Sequence, residues 1–499
     1  MSSPSSNLQA LTPDQLRSVI AQTLSSDADV RRSAERLLAE SSKNAAHALE
    51  VLRLVATNSD ASDGPVRQAA AIHFKNIIKK GWDTESDHGN DGIVISENDR
   101  TLIKSHLVQL MCTVPPQIQA QCSEAISIIA AVDFPSRWDH LLTDLVGQFS
   151  SKDMNVVTGV LLTANSIIKR FRYAERSDAL YKDILYVLER LQAPLLSLFT
   201  TIGSEVERYH DDKVRLEAYF LALRTMCRIF YSLNYQDLPE FFEDHMGEWM
   251  GQFSKYLEYV NPLFIDEDEE DETSPVDTLQ AAIVENLHLY ADKDEETFIP
   301  YLPNFTRSVW NLLMRITQFP KHDTLATTCI RFLSSLLSKL MHKHLFQDEN
   351  VLRQIISSIV IPNLIIREID QERFDDDPEE FIRSDMEEND SDSRRKCSQD
   401  LLRAMCRHFE AETTLICMEN ITVMLAEFQQ SPSQKWTAKD VAVSLSFTSF
   451  CTYCLVVYFF YIINIFTILY LFRSTYFSVF QFKQKPQHLV SPLSTQESM

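Results

Sequence analysis

Residues Val66–Trp82 read VRQAAAIHFKNIIKKGW. Val66, Ala69, Ala70, Phe74, Ile77 and Ile78 recur at helical spacing and make one apolar stripe, while Arg67, Lys75, Asn76, Lys79 and Lys80 fall mostly off it. A second helix of the same kind lies upstream in SDADVRRSAERLLAE, with Val30, Ala34, Leu37 and Leu38 as its stripe. Both helices open on Val-Arg after a polar or turn-forming stretch. A helix–turn–helix unit repeated at this length predicts a helical solenoid, whose repeats bury their stripes only against one another.

Composition agrees. A chain of 499 residues is long for a single core. Nine glycines are too few for a hairpin-rich fold or one built on phosphate-cradling loops, whereas stacked helices need few. The net charge is −23, and because residues 441–499 carry +2 (Arg473, Lys483 and Lys485 against Glu497) the acidic excess lies wholly in residues 1–440; it argues for a basic partner over nucleic acid, with solubility as the plain alternative. The N-terminus MSSPSSNLQALTPDQL has no apolar leader, so the nine cysteines are expected as reduced, mostly buried thiols in cytosol or nucleus. Cys451 and Cys454 form a lone C-x-x-C in an apolar run and read as coincidence. No phosphate-binding, dinucleotide, zinc-protease or nucleophile-elbow motif occurs, so no enzyme, metal or cofactor is expected.

Along the chain, Thr12-Pro13-Asp14-Gln15 starts a first repeat running to Leu54. Ser86–Gly92 reads as a loop, and Asp99–Cys112 with Pro116–Val132 as the next pair. Pro135 then breaks the helix, and Trp138 reads as a core anchor. Helical spacing continues through Leu141–Phe149, Val156–Phe171, Leu180–Phe199, Val214–Leu233 and Phe241–Tyr256, with Asp153 and Asp211-Asp212 ahead of their helices. The repeats are degenerate, which fits a HEAT-like array. Asp266–Glu272 is an unbroken acidic run, expected as a solvated loop. Residues 367–396 mix both charges with Phe374, Phe381 and Ile382, a composition that can order and dock.

Phe74-Lys75-Asn76, Ile78-Lys79 and Trp82 resemble the N-terminal signature of the importin-β superfamily of nuclear transport receptors. Asp133-Phe134-Pro135-Ser136-Arg137-Trp138 is similar to its D-F-P-x-x-W element, and Tyr231–Met250 and Ile361–Phe409 look like the exportin-2 (CAS-type) branch. The likeness covers roughly Asn7 to Val441. It implies an all-α, right-handed HEAT-repeat superhelix: Ran-binding repeats in 1–150, central repeats in 151–440 with an insertion at 367–396, and a divergent tail in 441–499. It implies Ran-GTP and importin-α as cooperative partners, nucleoporins as transient ones, shuttling between nucleus and cytoplasm through the nuclear envelope, and no direct nucleic-acid partner. Carried over, Arg31, Arg67, Lys75, Asn76 and Lys79 are the Ran-contact candidates. Arg373, Phe374, Phe381, Arg383, Arg394, Arg395 and Lys396 are the insertion residues expected to hold the free receptor shut. Phe74, Trp82, Phe134, Pro135 and Trp138 form the structural motif.

From Val441 to Phe472 no residue is charged, and the run is long enough to span a bilayer. It reads either as a membrane helix, making the chain a membrane-anchored HEAT scaffold, or as the product of a retained intron or gene-model error. Chains of the exportin-2 type continue to about twice this length, so this one is expected to be a truncated form with weak Ran binding.

Overall fold

The computed structural model describes residues 11–57, 63–83, 92–265, 272–293, 296–386 and 393–449. Among them every regular element is a helix. The chain divides into two compact units, Met1–Leu345 with Ser384–Cys397, and Phe346–Arg383 with Ser398–Met499.

In the first unit the helices pair: α1 (Pro13–Gln22) with α2 (Ala28–Ser41), α3 (His47–Ala56) with α4 (Gly64–Gly81), and α5 (Glu97–Met111) with α6 (Pro116–Asp133). Then come α7 (Leu141–Gly147) with α8 (Met154–Ile168), α9 (Asp178–Arg208) with α10 (Lys213–Asn234), short α11 (Glu240–Asp244), α12 (Met246–Leu257) with α13 (Pro275–Lys293), and α14 (Leu302–Arg315) with α15 (Asp323–Ser338). Second helices stack in one row, α4–α6–α8–α10–α13–α15, and first helices in another, α3–α5–α7–α9–α12–α14. This two-row stack is the HEAT-type arrangement expected from the repeats. The two Val-Arg helices, α2 and α4, are equivalent second helices. Leu8–Leu54 is not one repeat, because α3 already belongs to the second.

Local sequence sets the helix ends. Thr12 and Gln15 form a reciprocal capping box, and Asp27, Asp153 and Asp212 accept backbone N–H bonds at the starts of α2, α8 and α10. The stripe of α4 is buried at Ala70, Ala71, Phe74, Ile77 and Ile78, with Val66 and Ala69 only half-buried. In α2 only Ala34 and Leu38 of the expected stripe are buried, whereas Val30 and Leu37 face solvent. Among the described residues α2 packs chiefly against α1, so fewer positions of its stripe are covered.

Carbonyls at the ends of α4, α6, α8, α10 and α13 are closed by the repeat that follows. Arg100 donates to Gly81 O and Trp82 O at the end of α4, at 3.2 and 2.8 Å, with its guanidinium 4.7 Å from the Trp82 ring. Arg170 donates to Ala130 O in the last turn of α6, Gln236 to Phe171 O just beyond α8, Lys293 to Asn234 O at the end of α10 and Lys339 to Ala291 O in the last turn of α13. Most of these donors are cations meeting the negative end of a helix dipole, which joins successive repeats by charge as well as by packing. At Gly81 a side chain is excluded: a Cβ there would lie 2.5 Å from Ile93 Cγ2.

Aromatic side chains fill the centre. The Phe230 ring lies 4.9, 4.7 and 5.4 Å from those of Phe242, Trp249 and Phe253, all fully buried. Each such burial contributes about 1.5–3 kcal/mol, so this cluster anchors the α10–α12 region.

In the second unit, α16 (Glu349–Gln354) widens to π spacing over Ile355–Val360 and ends as α17 (Ile361–Leu364). Short α18 (Glu368–Asp376) and α19 (Pro378–Met386) follow, then α20 (Arg394–His408), whose first turn lies in the first unit. The last pair is α21 (Glu410–Gln430) and α22 (Trp436–Ser449). Val441, Ala442 and Leu445 of α22 are buried, so the repeat pattern runs past Asp440 into the expected tail. Residues 450–499, Cys451 and Cys454 among them, lie outside the described residues, as do 84–91, 266–271 and 387–392. No described helix is long and apolar enough to cross a membrane.

Candidate functional site

The five first-repeat candidates do not form one group. Arg31 Nη1 donates to Ser25 O and Ser26 O, at 2.7 and 2.9 Å, and ties down the α1–α2 turn. Arg67 Nε donates to Val55 O at 3.1 Å and closes the end of α3. Lys75, Asn76 and Lys79 are different. They lie on the outward side of α4, Lys75 half-buried and the other two exposed, with no hydrogen bond or ion pair among the described residues. Of the five candidates, these three leave their polar groups on the outward side of the helix.

Behind them lies a polar contact the sequence reading missed. Ser41 Oγ is 2.9 Å from His47 Nδ1, and His47 Nε2 is 3.0 Å from His73 Nε2, joining α2, α3 and α4. The contact requires one ring to donate and the other to accept, so a second proton would set two N–H groups head to head. Burial, with His73 alongside, lowers His47 to about 4, and burial lowers His73 to about 4. Histidines spaced 26 apart on two helices leave no linear signature.

The Asp133–Trp138 block forms a corner. Asp133, almost fully buried, pairs with Lys104 at 3.0 Å and Arg137 at 3.2 Å. Arg170 donates to Phe134 O at 2.9 Å and lies over the Phe134 ring. The Phe134–Pro135 peptide is cis. Phe74, Trp82, Phe134 and Trp138 are buried and Pro135 half-buried, so these motif residues mainly hold helices together.

Within residues 367–396 the candidates also part. Phe374 and Phe381 meet edge to face at 5.7 Å across α18 and α19, while Arg373 and Arg383 are exposed and Arg383 pairs with Glu380. The side chain of Ile382 lies outside the described set. Arg394 is not an exposed docking charge. It is 4% exposed and donates to Asp323 Oδ1 at 2.7 Å, Thr317 O at 2.9 Å and Phe319 O at 3.2 Å. These are contacts within the first unit that fix the α14–α15 turn. Arg395 and Lys396 are half-buried. Among the described residues no cluster of His, Cys, Asp or Glu could hold a metal ion, and burial pushes the Cys122 and Cys417 thiols up to about 12.

Paired helices in two rows, with capping caught from repeat to repeat, are the architecture of HEAT-repeat nuclear transport receptors. The chain belongs to the Cse1 family: the Cse1 model matches residues 167–454, and that of the importin-beta N-terminal domain matches 34–113. It is 40% identical to exportin-2 of Oreochromis niloticus and 39% identical to that of Homo sapiens, in each case over 88% of this chain and 44% of the relative. Among solved structures it is similar to the exportin Cse1 in its cargo-free, cytoplasmic state, with TM-score 0.79, 34% identity, and coverage of 88% of this chain and 46% of that one. The chain thus spans less than half the length of these relatives.

Proposed function

We propose that these repeats serve an exportin-2-type nuclear transport receptor, which binds Ran-GTP and importin-α together and carries importin-α from nucleus to cytoplasm. The observation that carries this reading is the 40% identity to exportin-2 across 88% of the chain. Lys75, Asn76 and Lys79 are the Ran-facing group. They are cationic and amide donors on the second helix of an N-terminal pair, Asn76 and Lys79 exposed and Lys75 half-buried, suited to an acidic or phosphate-bearing surface. Importin-α engages the acidic remainder of the chain, and nucleoporins are transient partners during shuttling. The 499 residues by themselves bind Ran-GTP weakly and form little stable ternary complex, because coupling between two ligands requires contacts to both. A pull-down with Ran locked in either nucleotide state tests this. Preference for the GTP form, lost in K75E/K79E, is expected, and equal capture of both forms or of neither would overturn it.

A further inference from the structure

One face of the second-helix row runs against the chain's acidic balance. On α10, Leu221, Arg224, Arg228, Tyr231 and Tyr235 recur at three- and four-residue steps and so form a single stripe. All five are exposed or half-buried, Leu221 and Tyr235 at 39% and 37%. Beyond the end of α8, Arg172 lays its guanidinium 4.6 Å from the Tyr231 ring. It is held there by donating to Ser232 Oγ and Arg228 O, both at 2.9 Å. Tyr173, next in the chain, is 84% exposed.

The charges here are not balanced. Arg224 is half-buried, yet neither it nor Arg228, one turn on, has a hydrogen-bond or ion-pair partner among the described residues. Burial lowers the Arg224 guanidinium from its ordinary value, Arg228 lowers it further, and Glu285 on α13 opposes both. Burial likewise lowers Arg172, with Arg228 adding to it and Glu285 again opposing. Glu285 is therefore the carboxylate that acts on both Arg172 and Arg224, and it forms a close ion pair with neither. Holding like charges together in a partly desolvated place is unfavourable unless an anion arrives. Arg–carboxylate pairs are directional, and tyrosines beside arginines are the side chains that concentrate binding energy at protein interfaces.

We propose that the Arg172–Arg224–Arg228 stripe with Tyr173, Tyr231 and Tyr235 is a docking site for an acidic, aromatic- or leucine-bearing segment of a partner protein. This goes beyond the exportin reading and does not depend on Lys75, Asn76 or Lys79. Carboxylates fit better than a nucleic-acid backbone. Three guanidiniums are too few to track a polyanion, and a net charge of −23 repels a long one, whereas a short segment reaches the stripe locally.

The probe is a short fluorescein-labelled peptide of glutamate and phenylalanine, read by anisotropy with the full chain at low and raised salt. Binding that weakens with salt is expected, with a loss of about tenfold or more in R224Q/R228Q and a gain in E285Q. The melting temperature of R224Q/R228Q should stay at or rise above that of the parent, since neither side chain closes a helix end and the like-charge contact is relieved. A peptide with glutamine for glutamate should not bind. Absence of binding by the parent chain, equal binding by R224Q/R228Q, or displacement of the peptide by inorganic phosphate but not by free glutamate peptide would each overturn the proposal.

Discussion

Helix α4 and the insertion from Arg367 to Lys396 look alike as text, since each interleaves basic residues with aromatic ones. They use those residues in opposite ways. In α4 the aromatic goes inward, with Phe74 1% exposed, and Lys75, Asn76 and Lys79 stay outward. In α18 and α19 the aromatics Phe374 and Phe381 meet edge to face and stay half-buried, while the buried member of the insertion is a charge, Arg394. An arginine is drawn inside wherever helix ends leave carbonyls exposed and a carboxylate stands beside them. Thr317 O, Phe319 O and Asp323 provide that place, and among the described residues Lys75 and Lys79 make no such contact.

The largest effect expected from this contrast is at Arg394. R394E should destabilise the chain by about 3–5 kcal/mol in chemical denaturation, because it removes a buried cation and sets a carboxylate against Asp323. R395E and K396E should each shift stability by less than about 1 kcal/mol. Comparable losses in all three would return Arg394 to the solvated charges of the insertion.

Next comes acid. His47 and His73 have folded pKa values of about 4, below the ordinary 6.5, so the neutral pair contributes stability in full above 6.5. That contribution is lost as pH falls from 6.5 through about 4, at up to ~1.4 kcal/mol per pH unit for each proton. The H47Q/H73Q chain should therefore show a flatter loss of melting temperature between pH 6.5 and 4, and an unchanged slope would remove the pair from the account. Smaller again is the Phe374–Phe381 contact. F374A should cost about 0.5–1.5 kcal/mol, confined to local protection of α18 and α19 in hydrogen exchange. The smallest effect on stability is at K75E/K79E, within about 0.5 kcal/mol of the parent, although Ran-GTP capture should fall.

The sequence by itself determined the all-α repeat architecture, since apolar spacing, capping residues and scarce glycine all point to stacked helices. It placed the starts of α1, α8 and α10 through Thr12, Asp153 and Asp212, where the signal is local. It placed the family as well, because whole blocks such as Asp133–Trp138 stand in order. What it left open was the work of each charge. Arg31 and Arg67 stood beside Lys75 as equals in the sequence, and only the fold brought the carbonyls of Ser25 and Val55 against them. The meeting of His47 with His73, the burial of Arg394 and the seating of the Arg172 guanidinium over Tyr231 were likewise decided by tertiary structure. Periodicity tells which side of a helix is apolar. Whether a polar side chain on the other side meets water, a helix end or a like charge depends on which neighbour packs there, and in a solenoid that neighbour comes from a different repeat.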